Sequence, residues 1–172
     1  MIVLDLDGTL TNEQKKITPK TKEALMRAQE NGIKVVLASG RPTYGITALA
    51  DELELKKYDG YILAFNGGKI INCKDMSVVF EQILDENLVP KLYESAVNNN
   101  MPILTYQGED IATNHKDDQY VAYEAFINQM PVVQYDDFLK QIVYPINKCL
   151  IVGEPTLLHE LELKLAKEVE GK

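Results

Sequence analysis

Cysteine and histidine are scarce, with two of each in 172 residues. Cys73, Cys149, His115 and His159 stand singly and far apart, which gives no support to a structural zinc site. The same scarcity argues against a disulfide framework, and a reduced, cytoplasmic setting is the default expectation. Basic residues are outnumbered, 18 Lys and Arg against 26 Asp and Glu, for a net charge of −8. No Lys/Arg cluster is present, so no nucleic-acid partner is expected. An acidic chain can still take an anionic substrate where a metal ion or a few local donors reverse the potential. No apolar run is long enough to span a bilayer, so no membrane association is expected. The opening Met1-Ile2-Val3-Leu4-Asp5 has neither a basic region nor a small-residue cleavage site, and a signal peptide is not expected. Repeats and low-complexity segments are also lacking. What remains is ordinary for a folded protein, with 45% hydrophobic and 26% charged residues. The length suits one medium domain or two small ones.

The first half of the chain alternates strand and helix signals. Residues 2–6 (IVLDL) form a short apolar run ended by Gly8. Residues 18–32 predict a helix, with Thr18 as N-cap, Pro19 at the first helical position and Gly32 as the stop. Ala24, Leu25 and Ala28 would share its buried face. Residues 33–38 predict a buried strand, residues 43–55 a helix with a stripe of Ile46, Leu49, Ala50 and Leu53, and residues 61–65 a third strand. This order predicts βαβ units and a parallel, Rossmann-like sheet. Asn66-Gly67-Gly68 then signals a turn before strand-like residues 69–72 and 78–82. Beyond lie a helix near 86–99, a strand near 102–106, a helix near 117–129, a strand near 147–152 and a helix near 155–170. Leu158, Leu161, Leu165 and Val169 would share one face of the last helix. The expected fold class is therefore α/β, with one unit over residues 1–80 and a second α/β unit over 81–172.

Asp5-Leu6-Asp7-Gly8-Thr9-Leu10-Thr11 is the most informative segment. Alternation along a strand puts Asp5 and Asp7 on one side. They lie at the carboxyl end of the first strand, where open parallel sheets bind ligands. Two carboxylates so close repel unless one is protonated or a cation lies between them. A hard divalent ion resolves this, and Mg²⁺ is the usual choice beside phosphate. Gly8 lets the backbone turn sharply. On its own an Asp-x-Asp pair could merely cap a turn; here it closes a fully apolar strand and runs into Gly-Thr.

DLDGTLT resembles the nucleophile motif of the haloacid dehalogenase superfamily, D-x-D-G-T-[LV]-[TL], at every position. The resemblance implies that Asp5 attacks phosphorus and that Asp7 serves as general acid and then general base. It implies Mg²⁺ bound through the Asp5 side chain and the Asp7 backbone carbonyl. Phosphatases of the superfamily carry an acid at the second position and dehalogenases do not, so Asp7 favours phosphoryl transfer. A carboxylate nucleophile splits a hard hydrolysis into two easier steps, and a second carboxyl manages the proton in each.

After the second strand comes Ser39-Gly40-Arg41-Pro42. A hydroxyl and backbone N–H groups ahead of a helix suit a phosphate oxygen, although a Ser-Gly turn that caps a helix has the same composition. The longer LASGRP resembles the A-[ST]-G-R pattern of the Cof-type sugar-phosphate phosphatases, which implies that Arg41 lies near the substrate. Asn66 matches a position in that branch that contacts substrate or orders a hinge, yet an Asn-Gly turn needs the same residue for its backbone angles alone. Phe65 stands where the branch usually has a small residue. Ser39, Gly40, Arg41 and Asn66 are the candidate substrate contacts.

Two further motifs of the superfamily, a lysine beside the nucleophile and an acidic G-D-x-x-[ND]-D, have no counterpart here. Lys148 precedes an apolar strand in surroundings like the middle of a Cof-type cap; Asp117-Asp118 read as helix-capping residues and Gly108-Glu109-Asp110 as a turn. The resemblance thus implies that residues 1–80 are the first half of a Rossmann-like core and 81–172 most of an inserted α/β cap. The second half of the core would be lacking, and the first strand would be an apolar sheet edge. The expected function is Mg²⁺-dependent hydrolysis of a small phosphorylated metabolite, a sugar phosphate above all, through an aspartyl-phosphate. Phosphomannomutase-like or sucrose-phosphatase-like chemistry uses the same core. The alternative is a non-catalytic module that binds phosphate or Mg²⁺. Tyr106, Tyr120, Tyr123 and Tyr135 in the second unit suit packing against a small sheet better than an interaction surface.

Overall fold

β1 (Ile2–Asp5) runs parallel to β2 (Val35–Ala38) in the computed structural model, which describes residues 1–169. β3 (Tyr61–Ala64) continues the parallel set, β4 (Lys69–Asn72) turns antiparallel to β3, and β5 (Val78–Glu81) turns antiparallel to β4. The sheet order is β1-β2-β3-β4-β5, so β1 is an edge strand, with Val3 56% exposed. Helices α1 (Pro19–Glu30) and α2 (Tyr44–Glu52) make the two crossovers between the parallel strands. These elements form a first compact unit, Met1–Gln82; a second begins at Ile83.

Local chemistry accounts for most of the first unit. Thr18 accepts the Thr21 N–H at 3.3 Å as N-cap of α1, Pro19 opens the helix, and Gly32 beyond its end has φ +79°. Ile46, Leu49 and Ala50 of α2 are buried, with Leu53 just past its end, and they pack with Val35, Leu37 and Ile62 of the sheet. The buried stripe of α1 differs from the expected one. Ala24 is exposed, and the core positions are Leu25 and Gln29. Gln29 is 3% exposed because its side-chain amide donates to the Leu53 carbonyl at 2.9 Å. A hydrogen bond to a residue 24 positions away thus puts a polar side chain where an apolar count would not place it.

Gly60, just before β3, packs closely against β2 and the crossover. A Cβ there would lie 2.8 Å from the Val35 carbonyl oxygen and 3.0 Å from Leu55 Cβ. Neither neighbour can move freely, since both residues are fully buried. Gly60→Ala is expected to destabilise the first unit by about 1–3 kcal/mol, as overpacking does. Its urea-unfolding midpoint measures this; an unchanged midpoint would mean that the crossover gives way at no cost.

The second unit has a four-stranded sheet in the order β8-β7-β6-β9, from β6 (Ile103–Gln107), β7 (Asp110–Thr113), β8 (Val132–Gln134) and β9 (Cys149–Ile151). Its helices are α3 (Val89–Asn98), α4 (Gln119–Asn128), the single turn α5 (Phe138–Gln141) and α6 (Pro155–Glu168). Val89 and Ala96 of α3 pack with Ile103 and Phe138 in its core. Asp118 caps α4 by accepting the Tyr120 N–H at 2.7 Å. Tyr106 is 8% exposed and donates its hydroxyl to Glu124 at 2.5 Å, an internal contact. Three elements escape the sequence reading: β7, β8 and α5. The expected turn at 108–110 ends a residue early, because Asp110 pairs with Gln107 as the start of β7. The expected end of the last helix, at 170, lies outside the described residues. Among those described, no helix is long and apolar enough to cross a membrane.

Candidate active site at the carboxyl ends of the parallel strands

Register brings the candidate residues together. Asp5 of β1 lies opposite Ala38 of β2, and Ala38 lies opposite Leu63 of β3. The segments that leave these strands therefore start at one level. Ser39 N–H donates to the Leu63 carbonyl at 2.9 Å, Asn66 N–H to the Ser39 carbonyl at 3.1 Å and Phe65 N–H to the Arg41 carbonyl at 2.9 Å. The last two bonds hold Phe65 and Asn66 in the left-handed region, with φ 54° and 57°. Such angles are strained for a bulky residue such as phenylalanine, so the crossing contacts, and not a simple Asn-Gly hairpin, set this turn.

After β1 the chain folds back on itself. Gly8 has φ +82°, Leu10 N–H donates to the Asp5 carbonyl at 3.1 Å, and Thr11 N–H and hydroxyl both donate to the Leu6 carbonyl at 2.9 Å. A small hairpin follows. Thr11 bridges Ile17, Asn12 N–H donates to the Lys16 carbonyl at 3.0 Å, and Lys15 N–H donates to the Asn12 carbonyl at 2.9 Å.

The two aspartates sit in opposite surroundings. The Asp5 carboxylate is exposed, and among the described residues no side chain or backbone group bonds it. Asp7 is gripped. Arg41 Nε donates to its Oδ2 at 2.9 Å and Nη2 to its Oδ1 at 2.6 Å, a bidentate pair, and Lys15 Nζ reaches Oδ1 at 2.8 Å. The guanidinium holds the Asp7 carboxyl below the usual 3.8; partial burial opposes this, and the Lys15 ammonium adds to the lowering. Arg41 is itself 7% exposed and also donates Nη1 to the Gly45 carbonyl at 3.2 Å. Its side chain bonds Asp7, next to the place where the resemblance sets a substrate. The expected remedy for carboxylate repulsion was a cation between the pair. The protein's own cations already offset Asp7, because the β1–β2 register brings Arg41 beside it.

Ser39 Oγ accepts the Arg41 N–H at 3.2 Å, which leaves its own proton free to donate. Gly40 lies in the same loop, half-buried. The Asn66 side chain is exposed and, among the described residues, bonds no other group. Lys15 is the site residue that sequence reasoning missed. It sits in a polar stretch, Asn12-Glu13-Gln14-Lys15-Lys16, whose composition gives no sign that one ammonium turns back onto Asp7. Lys148 belongs to the second unit, where burial lowers its ammonium pKa and Glu124 partly opposes that.

The donor set can be tested against a hard divalent cation. The Asp5 carboxylate is unbonded, and the Asp7 carbonyl accepts no backbone hydrogen bond among the described residues. Two free oxygens, one anionic, two residues apart, fit an ion such as Mg²⁺ that keeps several waters. Among the described residues no group of three His, Cys, Asp or Glu could hold a metal, and these oxygens would supply only part of a shell.

Comparison with known proteins identifies the family. A solved structure of a haloacid dehalogenase-like hydrolase from Bacteroides thetaiotaomicron superposes with a TM-score of 0.95 at 49% identity, over 99% of this chain and 64% of that one. YxeH of Bacillus subtilis is 29% identical over 175 residues, which is 100% of this chain and 64% of that protein. The Bacillus subtilis 5-amino-6-(5-phospho-D-ribitylamino)uracil phosphatase YwtE is 42% identical over 69 residues, 40% of this chain and 22% of that protein. The chain thus spans 64% of the length of the first two. The family model for haloacid dehalogenase-like hydrolases matches residues 2–172, and a match of that extent makes this chain a member of the family.

Proposed function

We propose that the chain carries the nucleophile and proton-transfer groups of a Mg²⁺-dependent phosphomonoesterase. The reading rests above all on one observation: two carboxylates two residues apart have opposite environments, Asp5 unbonded and exposed, Asp7 clamped by cations. Carboxylates that the protein treats so differently suit different roles. Asp5 attacks phosphorus and becomes the aspartyl-phosphate. Asp7 gives a proton to the leaving oxygen and then takes one from the water that cleaves the acyl phosphate. The charge beside Asp7 favours its ionised form, which suits the second step directly; for the first, the carboxyl must bind a proton against that charge. Ser39 donates its hydroxyl to a phosphoryl oxygen, with Gly40 and Asn66 in the loops around it. Mg²⁺, held by the Asp5 carboxylate and the Asp7 carbonyl, would neutralise phosphoryl charge and orient the group for in-line attack.

For the substrate we propose a small phosphorylated metabolite of the sugar- or polyol-phosphate kind. The name of YwtE, a phosphatase for a phosphoribityl compound, supports this over the matched stretch. In this reading the second α/β unit is the cap domain.

The direct test is hydrolysis of p-nitrophenyl phosphate and a panel of sugar phosphates by this chain, with Mg²⁺ and with EDTA. Mg²⁺-dependent release of phosphate is the expected result. Folded protein with no turnover on any ester would overturn the reading for this chain and favour a module that only binds phosphate or Mg²⁺, an outcome in line with the partial metal shell.

A further inference from the structure

We propose that Lys15 is a positioning residue for Asp7: together with Arg41 it holds the carboxylate in one orientation, so that a proton moves along one fixed direction. The inference rests on the phosphatase reading and adds a residue to it. Two independent observations carry it. First, Lys15 adopts φ 59° at the tip of the Asn12–Lys16 hairpin, a conformation that L side chains disfavour and glycine takes freely. A strained backbone at a non-glycine residue points to a requirement on its side chain. Second, the side chain turns inward. It is 15% exposed, and its ammonium lies 2.8 Å from Asp7 Oδ1, eight residues back.

The geometry is complementary. Arg41 comes from the loop after β2 and grips both oxygens in one plane. Lys15 comes from the hairpin after β1 and meets Oδ1, the oxygen that Arg41 Nη2 also holds. With both in place the carboxylate can neither rotate about its stem nor slide along the guanidinium. Lys15 also ties the hairpin to Asp7 through its 2.8 Å bond.

Three variants separate this role from a structural one. Lys15→Met removes the charge and keeps the bulk. Lys15→Gly removes the charge and also relieves the backbone strain. Lys15→Arg restores a cation. The expected result is a fall in kcat of about tenfold or more in Lys15→Met and Lys15→Gly, with KM within about threefold of wild type, and recovery in Lys15→Arg. The urea midpoint of Lys15→Gly should not fall, so its loss of kcat cannot come from a weaker fold. Wild-type kcat in both Lys15→Met and Lys15→Gly would overturn the proposal. Wild-type protein and Asp5→Asn are assayed alongside. If wild type turns nothing over, or Asp5→Asn keeps activity, the phosphatase reading fails on its own account. Lys15 is then judged from the ¹³Cγ resonance of Asp7, assigned with Asp7→Asn. A shift and line width altered in Lys15→Met and restored in Lys15→Arg sustain the positioning role, and an unaltered resonance overturns it.

Discussion

Asp5→Asn should lower phosphate-ester turnover by roughly four orders of magnitude or more while the protein stays folded. The amide fills the same space but has no charge to attack phosphorus, and it weakens the oxygen set offered to Mg²⁺. The fold should tolerate the change because the Asp5 carboxylate bonds nothing else among the described residues. Its urea midpoint should therefore stay within about 0.5 kcal/mol of wild type, as for other surface substitutions. Steady-state assays on a preparation checked by mass spectrometry for deamidation measure the first quantity. Hydroxylamine trapping of the acyl phosphate gives a second readout, which should vanish in the variant. Retained turnover in clean Asp5→Asn protein would remove Asp5 from the mechanism.

Asp7→Asn should slow hydrolysis of sugar phosphates by about 10²- to 10⁴-fold, the usual weight of general acid–base catalysis. The loss should be smaller for p-nitrophenyl phosphate, whose leaving group departs without a proton. Equal losses on both esters would mean that Asp7 acts by placing charge and not by transferring a proton. Unlike Asp5→Asn, this variant should also weaken the fold, because Arg41, 7% exposed, loses the anion that compensates it. The effect depends on pH, with a defined sign. The Asp7 carboxyl is held below its usual 3.8 in the folded protein, chiefly by Arg41. Its contribution to stability is therefore present above that usual value and lost as pH falls through the lower folded one. Urea midpoints of wild type and Asp7→Asn should differ at pH 7, begin to approach each other below about pH 4 and meet only below the lowered folded value. With the Asp7 side chain 37% exposed, solvent screening keeps the gap modest. A gap that persists undiminished in acid would show that the carboxylate charge is not its source.

Particular residues show where the sequence was legible. The α2 stripe of Ile46, Leu49, Ala50 and Leu53 is buried as its spacing predicts. Thr18, Pro19 and Gly32 start and stop α1 by chemistry that acts within a few residues. β7 and β8, four and three residues long, were not legible. Asp-Ile-Ala-Thr and Val-Val-Gln are too short for a period to register, and they are strands because β6 and then β7 offer an edge to pair with. Gln29 escaped for a similar reason, since its place in the core depends on the Leu53 carbonyl.

The candidate site divides along the same line. The sequence by itself determined that Asp5 and Asp7 lie at the carboxyl end of the first strand, just before a turn at Gly8, and that Ser39-Gly40-Arg41 and Asn66 follow the next two strands, because strand ends and glycine turns are written in adjacent residues. Only the tertiary structure decided that Arg41 clamps Asp7 across 34 residues, that Lys15 turns back onto the same oxygen, and that Phe65 is held at positive φ by the loop after β2. Contacts of this kind depend on strand register and on the direction of single side chains, and neither leaves a periodic trace in the chain.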